Sequence, residues 1–329
     1  MYCVPQTIQA LERRFGALTP LGGGYSSRVY AGGHRVLKVY HTHNGLHELE
    51  AANMRRAGLG AWVLETLELA PSGLPDAPEL EPADVLVMRR FAGHPVTAAD
   101  IPRALPELGA FLRQLHAIRG EAVNLAALGA KLERFDAALS TLTVRSDLEP
   151  LFECVRSALQ AGALKVSSSL CHLDLWHQNV LFQAPDQVLV VDWHKSAFDD
   201  AVRDYALFFS GTLELLPLID ALRLILELTD TEGVTARLAP YVALTTLHDL
   251  YWFHVKRPSE FAAALELKLP RALARGSRVV SGLTSAASLP VACSRLSPCT
   301  RWAPCRSACR CVVIASSLTA RLPSLRGER

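Results

Sequence analysis

The stretch "CHLDLWHQNVLFQAPDQVLVVDW", residues 171–193, decides how this chain is read. Its first half is too polar in the middle for a plain buried strand, since His172, Asp174, His177, Gln178 and Asn179 sit between apolar flanks. Its second half, "VLVVDW" (188–193), is an apolar run that ends abruptly on the carboxylate of Asp192. Two short strands joined by polar loops would bring His172, Asp174, Asn179 and Asp192 close together. Asn and Asp are hard oxygen donors suited to Mg²⁺. A further carboxylate beside them can take a proton from a hydroxyl.

Upstream, "LTPLGGGYSSRVYAGGHRVLKVYH" (18–41) alternates and turns like a hairpin sheet. The glycine run Gly22, Gly23, Gly24, with Ser26 beyond it, lets backbone approach a ligand, and free N–H groups there can cradle phosphate oxygens. By itself such a run is more often an ordinary hairpin turn. No Gly-Lys-Ser/Thr follows, so it is not a Walker A loop. Lys38 lies mid-strand in "VLKVY", and alternation puts Val36, Lys38 and Tyr40 on one face. A lone strand lysine is usually solvent-facing. A lysine held beneath a glycine turn would instead bind phosphate and need a carboxylate to fix it. Glu50 on the following helix is the candidate, with Glu48 in competition on a different helical face.

Around these segments the texture divides. Residues 1–90 read as a short helix (7–15), strands, one helix (45–60) and the strands "WVLETLEL" and "DVLVMRRF" flanking a Pro-rich loop. Residues 91–275 are mostly helical by period, interrupted by the polar loops and short strands of 171–193. A β-rich first lobe and a larger helical second lobe make an α+β, two-lobed fold. Residues 276–329 differ again, with eight arginines against Glu328 alone and five of the eight cysteines. The chain's net charge of +2 arises there, and the remainder is mildly acidic. The tail's cysteine spacings lack paired C-x₂₋₄-C ligands at finger separation. It is expected to be disordered.

The ordered set of glycine turn, strand lysine, helix glutamate, H-x-D-x₄-N and strand-terminal aspartate is the kit of a phosphoryl-transfer site. Here the chain resembles the aminoglycoside phosphotransferase and choline kinase-like family, a branch of the protein-kinase-like fold, from residue 18 to about 274. "HLDLWHQNVL" is similar to the family's catalytic loop, "DW" to its metal-binding strand end, and "DDAVRDYA" to the segment that follows. "LRQLHAI" is similar to the helix before that loop. "VMRRFAG", with Arg89 and Phe91, is similar to its adenine-binding hinge. Leu173 stands where the family has glycine, and Asp199, Asp200 and Ala201 replace Gly-Asp-Pro. The resemblance implies that Asp174 orients and deprotonates an acceptor hydroxyl, while Asn179 and Asp192 hold Mg²⁺. It implies that Lys38, paired with Glu50, contacts the phosphates of ATP or GTP, covered by Gly22 to Ser26. His172 and Asp204 would brace the loop, and Asp200 would cap a helix or share that work.

The position two after Asp174, where protein kinases need lysine, is Trp176, and a helix follows Asp192 too soon for a peptide-docking segment. A small-molecule hydroxyl substrate is therefore expected. Glu214, Asp220 and Asp249 would suit a cationic one, an amine or aminoglycoside, although solvated helix faces explain each as well. "YWF" (251–253) reads as core in preference to a stacking platform. The competing reading from another class is a non-catalytic nucleotide-binding protein in a kinase-like fold. No apolar run reaches the ~20 residues of a membrane span, and no signal peptide opens the chain. A soluble cytoplasmic enzyme without membrane or nucleic-acid partners is expected, and the sequence carries no signal for oligomeric state.

Overall fold

The computed structural model describes residues 5–24, 26–69, 82–229 and 233–286. Met1–Thr284 form one compact unit, and every site below lies in it. Of the tail expected to be disordered from 276, residues 276–286 instead continue the helix Phe261–Ala286, and the rest, with most of the Pro-rich loop, lies outside the described residues.

The first lobe is a five-stranded antiparallel sheet in the order β1-β2-β3-β5-β4. Its strands are β1 (Thr19–Gly23), β2 (Ser27–Gly32), β3 (Arg35–Tyr40), β4 (Val63–Leu69) and β5 (Ala83–Arg89). Both faces of β3 are covered. Leu37 and Val39 cluster with Leu11 of helix α1 (Pro5–Phe15) and with Val85 and Val87 of β5. Tyr40 and Leu86 belong instead to the large core that includes Ala51 and Met54 of α2 (Leu46–Arg56). The period-2 pleat thus sends Leu37 and Val39 to α1 and Lys38 and Tyr40 to α2. Lys38 is 4% exposed, so the solvent-facing alternative for this lysine is excluded.

The second lobe is helical. α3 (Ile101–His116), α4 (Leu125–Leu139), α5 (Arg145–Gln160), α6 (Val202–Gly211), α7 (Leu218–Leu228), α8 (Val234–Lys256) and α9 (Phe261–Ala286) carry it. α8 runs through the middle, burying Leu238, Tyr241, Leu244, Leu247 and Leu250 in the same core as Phe135 of α4, Phe152 of α5 and Phe208 of α6. Burial of each such side chain stabilises the fold by about 1.5–3 kcal/mol. Tyr251 packs on Phe135 with ring centroids 5.1 Å apart, in keeping with the core reading of "YWF".

Two small three-stranded sheets carry the loops of interest. One has the order β10-β9-β6, built from β6 (His94–Pro95), β9 (Val180–Gln183) and β10 (Gln187–Val190). The other has the order β11-β8-β7, built from β7 (Arg119–Ala122), β8 (Ser167–Cys171) and β11 (Ala197–Asp199). Three of these strands, β6, β7 and β11, were not foreseen. They are two to four residues long, and their pairing partners lie 26 to 88 positions away in the register, too short and too non-local for a periodic signal.

Candidate active site

The polar stretch emerges from β8 and returns into β9, and its loop is held from beneath by Asp204 of α6. The Asp204 carboxylate accepts the backbone N–H of His172 and of Leu173, both at 2.8 Å, and faces His116 Nε2 at 3.0 Å. Burial pushes its pKa upward, but the hydrogen bond and charge of His116, with the backbone donors, outweigh it and hold the carboxyl below its ordinary range. His172 is wholly buried: its Nε2–H donates to the Val191 carbonyl at 3.0 Å, and its Nδ1 accepts the Asp174 N–H at 3.3 Å. These two partners require the neutral Nε2–H tautomer, and burial lowers the pKa of the ring. The Trp193 ring stands edge-on to it at 4.6 Å.

Leu173, where a glycine was expected, has φ 62°. The loop keeps the left-handed turn that glycine would make and carries the strain in a leucine. Asp200 is fully buried, pairs with Arg237 of α8 at 2.7 Å, and accepts the Val202 N–H at 3.0 Å. It therefore caps the start of α6 and ties it to α8, and its bonds do not run to the loop of residues 172–179.

Asp174 and Asn179 face each other across the loop. The Asn179 amide nitrogen donates to the Asp174 carbonyl at 2.8 Å and approaches Asp174 Oδ2 at 3.3 Å. With its nitrogen so engaged, the amide oxygen is the group left to point elsewhere. The Val191 N–H donates to the Asn179 carbonyl at 2.9 Å, which sets Asn179 beside the residue preceding Asp192. Asp192 itself has φ 71° and turns the chain sharply at that point. This side-by-side pair of hard oxygen donors fits a Mg²⁺ ion.

Lys38 joins the lobes. Its Nζ lies 2.7 Å from Glu50 Oε2 and 2.6 Å from Asp192 Oδ1. Between the two glutamates the structure selects Glu50, which is buried, while Glu48 is exposed. The Tyr40 hydroxyl donates to the same Glu50 oxygen. Burial opposes the ammonium charge of Lys38, yet its two carboxylates more than compensate and raise its pKa. Burial likewise works against ionised Asp192, and His194 and Lys38 overcome it, leaving Asp192 firmly ionised.

The glycine turn lies across the sheet from this charge cluster. Gly22 pairs with Val29, and Val29 pairs with Lys38, so the three lie in one row. The Gly24 N–H closes on the Ser27 carbonyl at 2.9 Å, and the Ser26 carbonyl accepts the His41 N–H at 2.9 Å. Arg89 ends β5 and is exposed, whereas Phe91 is half-buried and meets Trp62 edge-on at 5.8 Å. The link to the second lobe turns at Gly93, where any Cβ would fall 2.6 Å from the Phe182 carbonyl and 2.3 Å from the Phe91 ring.

Four contributors went unrecognised in the sequence. Tyr40 had a signal, since alternation put it on the Lys38 face. Asn53 of α2 donates to the carbonyls of Trp193 (3.0 Å) and Ser196 (3.3 Å), tying the first lobe to the turn after Asp192. His194 bonds Asp192, and Lys195 Nζ lies 3.0 Å from Asp174 Oδ1. The Asn53 and Lys195 contacts join distant segments and leave no local pattern, and the His194 contact, though only two residues from Asp192, depends on the sharp turn at Asp192. The carboxylates suggested for a cationic substrate are already engaged: Lys268 of α9 reaches Glu214 at 2.9 Å and Asp249 at 3.0 Å, and Asp220 faces Arg223.

A β-rich lobe and a helical lobe clamped around a lysine, a glutamate and a strand-terminal aspartate define a kinase-like phosphotransferase. The model of the phosphotransferase enzyme family matches residues 17–241, and the chain belongs to that family. Solved structures share the fold. A thermostable mutant of aminoglycoside phosphotransferase APH(4)-Ia, in ternary complex with AMP-PNP and hygromycin B, is 18% identical with a TM-score of 0.63, over 83% of this chain and 99% of that one. A choline/ethanolamine kinase family protein from Mesorhizobium loti is 21% identical with a TM-score of 0.54, over 82% and 94%. The GDP complex of aminoglycoside 2'-phosphotransferase-IIIa is 14% identical with a TM-score of 0.58, over 81% and 97%. No curated protein matches the chain. Among the described residues no helix is long and apolar enough to cross a membrane.

Proposed function

We propose that the protein transfers the γ-phosphoryl group of ATP or GTP, with Mg²⁺, to a hydroxyl of a small molecule. The observation that carries this reading is the position of Lys38 Nζ between Glu50 and Asp192, with Asn179 tied by its backbone beside that aspartate. Lys38 holds phosphate oxygens as a point charge and is aimed by Glu50. The Gly22–Gly24 turn and Ser26 cover the phosphates with backbone N–H groups, and the segment from Arg89 to Phe91 borders the base. Asn179 and Asp192 would hold magnesium, which when bound neutralises phosphate charge and orients the transferred group. Asp174 aligns the acceptor hydroxyl and takes its proton as the oxygen bonds to phosphorus and the bond to the leaving diphosphate breaks. His172 and Asp204 keep the loop in shape without touching substrate. Exposed Trp176, beside Asp174, offers the acceptor an aromatic wall.

The acceptor belongs to the small hydroxyl compounds. The similar proteins include one bound to hygromycin B and one of the choline/ethanolamine kinase family. Because Lys268 pairs with both Glu214 and Asp249 and leaves the trio only one net negative charge, a neutral or singly charged acceptor fits better than a polycation. The test is a screen of sugars, amino alcohols and aminoglycosides for nucleotide-dependent phosphorylation, alongside Mg²⁺-titrated nucleotide binding. Phosphorylation that disappears in Asp174→Asn, together with a raised Mg²⁺ requirement in Asp192→Asn, is expected. Tight nucleotide binding with no turnover on any acceptor would favour the non-catalytic alternative.

A further inference from the structure

Lys195 has no place in the site as its sequence position describes it, yet its side chain ends on Asp174. The turn that carries it is pinned at both ends. Asp192 starts it in the left-handed region, Asn53 holds the carbonyls of Trp193 and Ser196, and the Ser196 hydroxyl donates to the Cys171 carbonyl at 2.7 Å. The backbone of Lys195 is thus fixed between the metal-binding strand end and β8. Its side chain is not: it is 50% exposed, with Nζ 3.0 Å from Asp174 Oδ1. Among the described residues it is the one cation within 4.0 Å of that carboxylate. Lys38, the other lysine of the site, is buried and held by two partners.

Resting on the phosphotransferase reading, we infer that Lys195 is the cation for the transferred phosphoryl group. It waits on Asp174 in the free protein and moves to the terminal phosphoryl oxygens when a triphosphate is bound. Three observations converge on this. The position two after Asp174 is Trp176, so the loop supplies no cation of its own. A half-exposed ion pair is weak and screened by solvent, so a multiply charged phosphoryl group competes for the ammonium. Release of Asp174 Oδ1 at that moment frees the oxygen that must receive the acceptor proton. The same lysine therefore shields Asp174 before nucleotide arrives and stabilises charge on the transferred group afterwards. No bond to Lys195 forms or breaks, and its proton stays in place.

The experiment needs no acceptor. Affinities for Mg·AMP-PNP and Mg·ADP are measured by calorimetry for wild type, Lys195→Met and Lys195→Arg. Loss of one charge-assisted contact to the terminal phosphate is expected to weaken AMP-PNP by about tenfold in Lys195→Met. ADP binding and the thermal midpoint should stay unchanged, and Lys195→Arg should restore most of the AMP-PNP affinity. Equal weakening of both nucleotides, or of neither, would overturn the assignment while leaving the phosphotransferase reading intact. A wild-type protein that binds neither nucleotide would overturn that reading, and this one with it.

Discussion

The two lysines of the cleft are built in opposite ways. Lys38 is sealed between sheet and helix at 4% exposure with two carboxylates on its ammonium. Lys195 is half-exposed on a pinned turn with one. The first arrangement is rigid, since an uncompensated buried charge is expensive and every departure is opposed. The second exchanges partners at little cost. The same division separates the two carboxylates they meet: Asp192 is locked to Lys38 and His194, while Asp174 faces a half-exposed lysine and the Asn179 amide. In the proposed assignment, the side that binds phosphate is preorganised and the side that meets the acceptor is adjustable.

The sharpest way to break this comparison is at Asp174. Asp174→Asn should lower turnover by about 10²–10⁴-fold, the range for a positioned base, and leave Mg·nucleotide affinity within about twofold by the proposed division of labour. A collapse of nucleotide affinity in that variant would show that the two sides are not separable.

Lys38 should behave differently, because its removal is both a functional and a structural change. Lys38→Met leaves Glu50 and Asp192 without their cation, and loss of one partner of a buried pair costs about 3–5 kcal/mol. A lower urea midpoint and weakened nucleotide binding are expected together, with Glu50→Gln added to Lys38→Met recovering part of the stability but none of the binding. If Lys38→Met were as stable as wild type, the rigid half of the comparison would fall.

A smaller effect comes from His172. Its pKa in the folded protein lies below the ordinary value of 6.5 because the buried ring is held neutral. Protonation therefore favours the unfolded chain. Its contribution is complete above about pH 6.5 and is lost as pH falls from there towards the folded pKa. The urea midpoint of wild type should drop more between pH 7.5 and 5.5, a span set on either side of about 6.5, than that of His172→Gln. Parallel pH profiles for the two proteins would show that His172 does not titrate with folding.

The smallest effect tests the strained leucine. At φ 62° a side chain costs about 1–2 kcal/mol that glycine does not, partly offset by the entropy of glycine in the unfolded chain. Leu173→Gly should therefore be more stable than Leu173→Ala by about 1 kcal/mol, read from denaturant melts. The reverse order would mean that the loop does not adopt this turn in solution.

Much of the phosphate side was legible in the chain because its parts are local. Lys38 and Tyr40 share a strand face by alternation, Glu50 sits on the next helix, and Asn179 and Asp192 flank one hairpin, close in sequence to Asp174 of the acceptor side. Glu50 was named ahead of Glu48 from the sequence, but both are helix positions near the sheet, and the packing of α2 on β3 and β5 is what buries one of them. Asp204 could be placed by its motif, but its two adjacent backbone donors and His116 come from two other segments of the chain.

The acceptor side stayed hidden for the same reason, more strongly. Nothing around Lys195 marks it, and its meeting with Asp174 depends on a sharp turn at Asp192 and on Asn53 reaching across from the other lobe. The acidic residues of the helical lobe looked free in the sequence, where pairing between α8 and α9 is invisible, and the structure gives two of them to Lys268. Periodicity and local motifs determined the two-lobed α+β fold and named the groups proposed to bind phosphate, because those depend on neighbours in the chain. Which charges are paired, which are buried and which remain free to move was decided only by tertiary contacts, because Coulomb and desolvation energies depend on distance and burial in space, not on separation in sequence.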